Sequence, residues 1–244
     1  MALENVQDIY PVSPMQAGML FHTIESPDPG LYVLQIRVTL DGPLQWDVLT
    51  AAWDDVVHRH DALRAAFVWA ELDEPLQVIH ERVAPPWEKL DARRLVAEGG
   101  PGALDAWMED DRRRGFDLKE APLMRVTLLQ LDGQRHRLVW TLHHLLADAW
   151  SVGVVLDELK GAYHARLAGH PFAAAPPPAY RDFIAWMKDR PDGDAEAAWR
   201  RSLEGFRERI SVDLPRPTAR EAGPRKRRFH EARLPPSAAD ALAR

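Results

Sequence analysis

The segment 123–167 constrains the fold most strongly, because its pattern is that of a hairpin leading directly into a long helix. Leu123–Leu131 and Arg135–His143 have the composition of two strands, and Asp132-Gly133 between them is a strong short-range signal for a tight hairpin turn. Ser151–Leu167 then repeats apolar residues at helical spacing. This order predicts a mixed α+β fold in which a β-sheet is flanked by helices.

The rest of the chain is predicted to alternate between helices and strands separated by turn residues. Helices are predicted over Met15–His22, Leu44–His60, Ala103–Arg114, Tyr180–Lys188 and Ala195–Phe206. Strands are predicted over Leu31–Leu40, Phe67–Trp69 and Leu76–His80. A proline-rich linker is predicted over Ala173–Pro178.

The last part of the sequence is predicted to be a loop, a strand and the start of a helix. These elements cover Asp213–Pro224, Phe229–Leu234 and Pro236–Arg244. The final helix has no stop signal, which is an unusual place for a domain to finish. We therefore expect the sequence to be a piece of a larger architecture.

Composition narrows the classes of function that the chain can have. The absence of cysteine excludes disulfides, cysteine nucleophiles and thiolate metal sites. The net charge of −6 argues against a general nucleic-acid or anionic-membrane surface. No secretory signal or membrane-length apolar run is visible, and the absence of cysteine fits a protein of the reducing cytoplasm. Phosphate-loop, dinucleotide, GxSxG and HExxH motifs are also missing, so no intrinsic cofactor or metal is predicted.

The candidate chemistry lies where the second strand of the hairpin ends. His143 and His144 close that strand, and Asp148 follows the second histidine by four residues. Because neighbouring residues of a strand face opposite sides, one histidine should face inward and the other a cavity. Imidazole can transfer protons near neutral pH. His144 is therefore the candidate catalytic residue.

Asp148 has two possible roles. It could orient a catalytic imidazole, as the aspartate of a catalytic triad does. It could instead pair with a buried arginine and hold the shape of the loop. We favour the second role, and we expect Arg64 to be the partner because it lies in a dense motif over residues 59–64, RHDALR.

Several ordered segments of this sequence resemble the motifs of nonribosomal peptide synthetase condensation domains. His143–Asp148 (HHLLAD) resembles the HHxxxDG signature of the family, although Ala149 replaces its glycine. Residues 13–22, SPMQAGMLFH, resemble the first motif, and residues 59–67, RHDALRAAF, resemble the second, RHxxLRxxF. Residues 178–183, PAYRDF, resemble a further PxYxDY segment. The first motif looks most like the subgroup that takes a D-configured donor and an L-configured acceptor.

The resemblance implies a chloramphenicol-acetyltransferase-like fold with two similar lobes, a tunnel between them and the histidine motif at its middle. Donor and acceptor peptidyl carrier proteins bring substrates on phosphopantetheine arms, and the acceptor amine attacks the donor thioester to form an amide. Residues 1–205 would be the N-terminal lobe. Residues 206–244 would be the crossover linker and the start of a truncated C-terminal lobe, so the piece should be poorly active alone. The missing second lobe and adjacent synthetase domains would be further partners.

Site residues follow from the same resemblance. His144 would be catalytic, and the remaining motif positions would support the site: His143, Asp148, Ala149 and Arg64. The extra methyl group of Ala149 could narrow the tunnel or be tolerated. Two other interpretations stay open. The chain could be an epimerisation domain or a related acyltransferase, since these share HHxxxD, although the first motif argues against epimerisation. It could also be a non-catalytic module that binds carrier proteins.

Overall fold

The computed structural model of this chain describes residues 5–190 and 192–207, together with residues 235 and 238. Two compact units, Met1–Pro191 and Asp192–Arg244, divide the chain, and both histidines of the HHxxxD motif lie in the first. The predicted loop Asp213–Pro224 and strand Phe229–Leu234 lie outside the described residues. So does the helix predicted over Pro236–Arg244, apart from Ala238.

The described residues of the first unit form seven strands, six α-helices and a short 3₁₀ turn over Asp61–Arg64, which confirms the predicted mixed fold. The strands are β1 Val6–Pro11, β2 Val33–Asp41, β3 Ala65–Val68, β4 Leu76–His80, β5 Trp87–Asp91, β6 Met124–Gln130 and β7 Arg135–His143. The helices are α1 Pro14–Glu25, α2 Trp46–Arg59, α3 Ala92–Gly99, α4 Ala103–Arg113, α5 Ala149–Leu167 and α6 Tyr180–Lys188. The second unit contains α7, Asp192–Ser202.

The strands form two sheets. The larger has the order β2-β7-β6-β5, in which only β5 runs parallel to its neighbour, and the smaller is the antiparallel sheet β1-β4-β3. The predicted hairpin is present as β6 and β7, and the backbone N–H of Leu131 closes it by donating to the Arg135 carbonyl at 2.9 Å. The strand that ends in the histidines is thus held between two neighbours.

Two strands and one helix were not predicted from the sequence: β1, β5 and α3. β5 is five residues long and pairs in parallel with β6, so no adjacent turn signals its presence. β1 pairs with β4, which lies far along the chain. A signal for α3 does exist, because the side chain of Asp91 accepts a hydrogen bond from the Arg93 N–H as an N-cap.

The core is built where α5 and α2 pack together beneath the sheets. α5 buries Val152, Val155, Leu159 and Ala162, which recur at helical spacing on one face. At the centre, Trp53 is fully buried against Trp140 of β7, and their rings meet edge to face at 5.2 Å between centroids. β7 is therefore anchored by apolar packing before it reaches the histidines.

The proline-rich linker is attached to this core rather than free. Arg59 at the end of α2 binds the carboxylate of Glu158 in α5, and it also donates to the Ala175 carbonyl at 2.7 Å. Phe172 packs so closely on Gly161 of α5 that a Cβ atom there would lie 2.9 Å from its ring. The path of the chain from α5 to α6 is thus fixed by contacts.

A buried ion pair joins α4 to the centre of the larger sheet. Arg125 of β6 donates through Nε to the Oδ1 atom of Asp111 at 2.6 Å and also binds the Asp111 carbonyl. The second carboxylate oxygen accepts hydrogen bonds from Thr141 Oγ1 at 2.6 Å and from Gln35 Nε2 at 2.8 Å. Burial alone would raise the pKa of the Asp111 carboxyl, but its hydrogen bonds outweigh burial, and the pKa lies below its ordinary value. Strands β2, β6 and β7 are therefore tied to one carboxylate.

No described helix is both long and apolar enough to cross a membrane.

Candidate active site at the end of β7

The sheet ladder fixes the backbone of both histidines. The N–H of His143 donates to the Leu123 carbonyl at 3.0 Å, and the N–H of His144 donates to the Tyr32 carbonyl at 2.8 Å. His143 is the last residue of β7, and His144 is the first residue of the turn that follows. His143 is 1% exposed, whereas His144 is only partly buried. The prediction that one of the two histidines faces inward is confirmed for His143. The prediction that the other faces a cavity stays a prediction, because His144 does not line either described cavity.

His143 is a buried neutral histidine with a defined tautomer. Its Nδ1 atom accepts a hydrogen bond from the N–H of Leu145 at 3.2 Å, so Nδ1 carries no proton. The Nε2 atom, which then carries the proton, lies 3.4 Å from Thr23 Oγ1 of α1. Burial, and secondly the neighbouring His144, lower the pKa of His143 to about 4. His143 is therefore a structural part of the motif.

The depressed pKa of His143 makes a prediction about stability and pH. In the unfolded chain His143 has a pKa of 6.5 and becomes protonated below that pH, whereas in the folded chain it stays neutral down to about pH 4. This contribution to the free energy of unfolding is complete above pH 6.5 and is lost as the pH falls toward 4. Its full size is about 3 kcal/mol. Urea unfolding of His143→Gln at several pH values should show a shallower fall in unfolding free energy than the unsubstituted chain.

Equal pH slopes in both proteins would contradict the assignment of a neutral, buried His143. The matched control is His170→Gln, because His170 is exposed and should leave the slope unchanged.

His144 has the opposite tautomer. Its Nδ1 atom lies 2.9 Å from the carbonyl oxygen of Ala147. Since a carbonyl can only accept a hydrogen bond, Nδ1 must carry the proton, and in the neutral ring Nε2 is left with a lone pair. The ring is partly exposed. Nε2 of His144 is thus prepared to accept a proton or a hydrogen bond.

The three residues after His144 form a buried turn that supplies the carbonyl partner of its ring. Leu145, Leu146 and Ala147 are all buried, and the N–H of Leu146 donates to the His143 carbonyl at 3.0 Å. From α1, Gln16 Nε2 donates to the Leu145 carbonyl at 3.0 Å. The turn is therefore held both by its own backbone and by a side chain from another element.

Asp148 is the N-cap of α5 and does not pair with Arg64, so the predicted ion pair is wrong. Its Oδ1 atom accepts hydrogen bonds from the Ser151 N–H at 2.8 Å and from Ser151 Oγ at 2.7 Å. These bonds, led by the one from the Ser151 backbone, lower the pKa of Asp148. The side chain is exposed. The triad alternative also lacks support, because the Nδ1–H of His144 donates to Ala147 instead. Aspartate is a preferred residue at the N-cap of a helix, so Asp148 carried a local signal for this role.

Arg64 lies in a different cluster. It is 2% exposed, and Nη2 binds Asp61 Oδ1 at 2.5 Å within the same 3₁₀ turn. Nη1 donates to Gln7 Oε1 at 2.7 Å and to the backbone carbonyls of His80 and Glu81. Burial lowers the pKa of Arg64, and Asp61 opposes this effect. Because Asp61 is three residues away in the same turn, it pairs with Nη2 of the guanidinium locally, while the bonds from Nη1 tie β1 and β4 together.

The independence of Asp148 and Arg64 can be tested by a double-mutant cycle. Asp148→Ala should lower the free energy of unfolding by about 1 kcal/mol, because it removes one helix cap. Arg64→Met should destabilise the chain through a separate set of partners. The two effects should add within about 0.5 kcal/mol in the double variant, as is usual for residues without shared contacts. Urea denaturation gives the free energy of unfolding of the unsubstituted chain, the two single variants and the double variant. A coupling energy above about 1 kcal/mol would show that Asp148 and Arg64 do interact.

Ala149 is the first residue of α5 and is exposed. In the described part of the chain, Tyr32 and Glu71 are the non-glycine residues with positive φ, so the backbone at Ala149 needs no glycine.

The structure also adds Gln16, Thr23 and Tyr32 to the surroundings of the two histidines. Gln16 had a recognisable signal, since Ser13 and Gln16 form a capping box in which each side chain binds the backbone of the other. Tyr32 has φ of 56°, and its carbonyl accepts a hydrogen bond from the N–H of His144. Nothing in the local sequence announced that role.

A cavity of about 550 Å³ is lined by α2 residues together with Arg64, Arg82 and Phe172, and neither histidine of the motif lines it. Among the residues whose side chains are described, no group of three or more histidine or carboxylate side chains could hold a metal ion.

Comparison with known proteins gives consistent matches. The family model described as the condensation domain matches residues 6–242. One of the linear gramicidin synthase proteins of Brevibacillus parabrevis is 40% identical over 209 residues, which are 86% of this chain and 4% of that protein. The crystal structure of the starter condensation domain of rhizomide synthetase is similar in fold, with a TM-score of 0.71 and 22% identity, over 83% of this chain and 49% of that one.

A further solved structure, the complex of the X-domain and OxyB from teicoplanin biosynthesis, matches with a TM-score of 0.66 and 26% identity. This match covers 89% of the present chain and 48% of the other. The chain thus spans a few per cent of the gramicidin synthase protein and about half the length of the solved chains that it matches.

Proposed function

The chain belongs to the condensation-domain family, and from this premise we propose that it takes part in amide-bond formation during nonribosomal peptide synthesis, with His144 as the catalytic residue. The observation that carries the proposal is the tautomer of His144. Its Nδ1–H is committed to the Ala147 carbonyl, which leaves Nε2 on a partly exposed ring as a proton acceptor.

The proposed reaction joins two carrier-bound substrates. The amine nitrogen of the acceptor attacks the carbonyl carbon of the donor thioester, a C–N bond forms, and the C–S bond breaks as the tetrahedral intermediate collapses. One proton leaves the amine nitrogen, and the departing thiolate takes one up. A free α-amino group has a pKa of about 8, so a fair fraction is already neutral near pH 7 to 8. The step therefore needs positioning more than a strong base.

The tautomer favours two of the three roles that His144 could have. As a neutral ring, it can accept the proton of the attacking amine at Nε2, or it can accept a hydrogen bond there and orient the amine. Stabilising the oxyanion of the intermediate requires a donor, and Nε2 becomes one only after it has taken up a proton. Proton acceptance and orientation are therefore the proposed first steps.

The other motif residues are proposed to support this chemistry structurally. His143 is neutral and buried at the end of β7, and Asp148 caps α5 immediately after the turn. Ala149 begins that helix, and Arg64 holds the smaller sheet. None of these four side chains hydrogen-bonds to the His144 ring in the described part of the chain.

The proposed partners are a donor and an acceptor peptidyl carrier protein, each bringing its substrate on a phosphopantetheine arm. Since the chain spans about half of the solved domains, we propose that residues 1–205 form an N-terminal lobe, that 206–244 lead into a second, and that full activity needs that second lobe. Adjacent synthetase domains would then supply the carriers. The first motif is our basis for proposing a D-configured donor and an L-configured acceptor.

The test is a single-turnover reaction followed by intact-protein mass spectrometry of the acceptor carrier. Donor carriers are loaded with D- or L-aminoacyl groups, and the chain is assayed alone and in a longer form that includes a second lobe. A dipeptidyl mass on the acceptor that requires the protein supports condensation, and a preference for the D-donor supports the subtype. Absence of product with the longer form and every donor would overturn the proposed activity.

A second candidate is a module that binds proteins without joining their cargo. It is favoured by the match to the X-domain, which was solved as a complex with OxyB. The same assay distinguishes the two candidates when carrier binding is measured in parallel. Carrier binding without any dipeptidyl product would favour the binding module.

A further inference from the structure

Gln16 is a buried side chain of α1 whose carboxamide group makes three hydrogen bonds. It is 5% exposed. Its Oε1 atom accepts hydrogen bonds from the Ser13 N–H at 2.9 Å and from Gln77 Nε2 at 3.3 Å, while its Nε2 atom donates to the Leu145 carbonyl at 3.0 Å. One carboxamide therefore joins the start of its own helix to β4 and to the turn after His144.

These bonds connect the turn after His144 to the smaller sheet. Gln77 is a fully buried residue of β4. Its Nε2 atom, which binds Gln16, also donates to the carbonyl of Pro11 at the end of β1. The capping box fixes the start of α1 between them. The Leu145 carbonyl is thus held by a network that does not depend on β7, although it lies only one residue beyond His144.

The bond from Gln16 completes the set of contacts that shape the turn. The N–H of Leu145 binds the His143 ring and the N–H of Leu146 binds the His143 carbonyl, so the first two backbone donors of the turn are in use. Gln16 then takes up the Leu145 carbonyl. With these groups fixed, the Ala147 carbonyl is the one that meets the Nδ1–H of His144.

Removal of the Gln16 carboxamide would leave a buried carbonyl without a partner. An unsatisfied buried acceptor is costly, so the turn would be driven to rearrange until the Leu145 carbonyl met water or another donor. Ala147 is only two residues beyond Leu145, so this rearrangement would also displace the Ala147 carbonyl. The His144 ring would then lose the carbonyl that selects its tautomer.

We propose that Gln16 is a positioning residue that holds the turn over Leu145–Ala147 and thereby keeps the proton of neutral His144 on Nδ1. The effect on the ring is independent of the reaction, whereas the effect on rate rests on the proposed function. A mixed tautomer or a displaced ring should slow amide formation by about 10- to 100-fold, because small errors in the position of a reacting group are expensive.

The experiment measures the ring directly. The chain is labelled with ¹⁵N-histidine, His144 is assigned by comparison with His144→Asn, and the ring nitrogen shifts are recorded at a pH where His144 is neutral. In the unsubstituted chain the shifts should report protonated Nδ1 and unprotonated Nε2. In Gln16→Met they should move toward averaged values that report both tautomers.

Two controls separate positioning from general damage. Ser13→Ala removes the hydroxyl that caps α1 but keeps the bond from Gln16 to Leu145, so it should leave the His144 tautomer unchanged. Gln35→Met makes the same chemical change in β2, where the lost bonds go to Met108 and Asp111, and it should also leave the tautomer unchanged. If Gln16→Met does not fold, Gln16→Glu serves instead, because a carboxylate keeps the acceptor for Ser13 but cannot donate to Leu145.

Unchanged His144 shifts in the folded Gln16 variant would overturn the proposal. So would equal changes in Gln16→Met and Ser13→Ala, because Gln16 would then act only through the start of the helix. The rate is measured separately in the longer form. A chain that forms no amide with any donor would remove the proposed function and would leave the comparison of tautomers intact.

Discussion

His144→Ala is expected to lower the rate of amide formation by about 10²–10⁴-fold, the usual range for loss of a general acid–base group. The physical reason is that the substitution removes the Nε2 lone pair, which the bond from Nδ1 to Ala147 leaves open to the substrate. Stability should change little by comparison, because the ring is partly exposed and makes one hydrogen bond to the backbone. The single-turnover assay with defined carriers measures the rate, and urea denaturation measures the stability.

His144→Asn separates the loss of the acceptor from the loss of the turn contact. The amide of asparagine can reproduce the donation to the Ala147 carbonyl, but it has no atom at the position of Nε2. We therefore expect it to be as slow as His144→Ala while folding normally. The exposed histidine His170 provides the matched control, and His170→Ala should retain the full rate. A fully active His144→Ala protein would exclude His144 as the catalytic residue.

Asp111→Ala is expected to lower the free energy of unfolding by about 3–5 kcal/mol, the range for removing one partner of a buried ion pair. Arg125 would keep its charge in the interior, where it is 7% exposed, and would lose its carboxylate partner. Thr141 and Gln35 would lose an acceptor in the same step. Urea denaturation at pH 7 measures the change, which should greatly exceed that of Asp110→Ala on the exposed side of the same helix.

Two further measurements identify the ion pair as the cause. Combining Asp111→Ala with Arg125→Met should destabilise less than Asp111→Ala alone, because no unpaired charge remains buried. The pKa of Asp111 is lowered in the folded chain, so its contribution is present above the unfolded pKa and is lost as the pH falls through the folded pKa. The penalty of Asp111→Ala should therefore shrink under strongly acidic conditions. A penalty below about 1 kcal/mol at pH 7 would contradict this account.

The local pattern predicted the elements that carry their own signals. The turn Asp132-Gly133 predicted the hairpin of β6 and β7, and apolar spacing predicted α5, which the structure starts slightly earlier, at Ala149. In contrast, β5 was missed because its partner strand lies more than thirty residues away and no adjacent turn marks the pairing. Elements stabilised mainly by distant partners leave only a weak pattern in their own residues.

The sequence alone determined the family, the place of the histidine pair at a strand end, and the burial of one histidine of the pair. These properties follow from motif spacing and from the alternation of a strand, which are local. Tertiary structure decided which partner each polar group has: Asp148 caps α5 and Arg64 binds Asp61, while Gln16 reaches a carbonyl 129 positions away. A hydrogen bond forms with whichever group packing brings within about 3 Å, and spacing along the chain does not specify that distance.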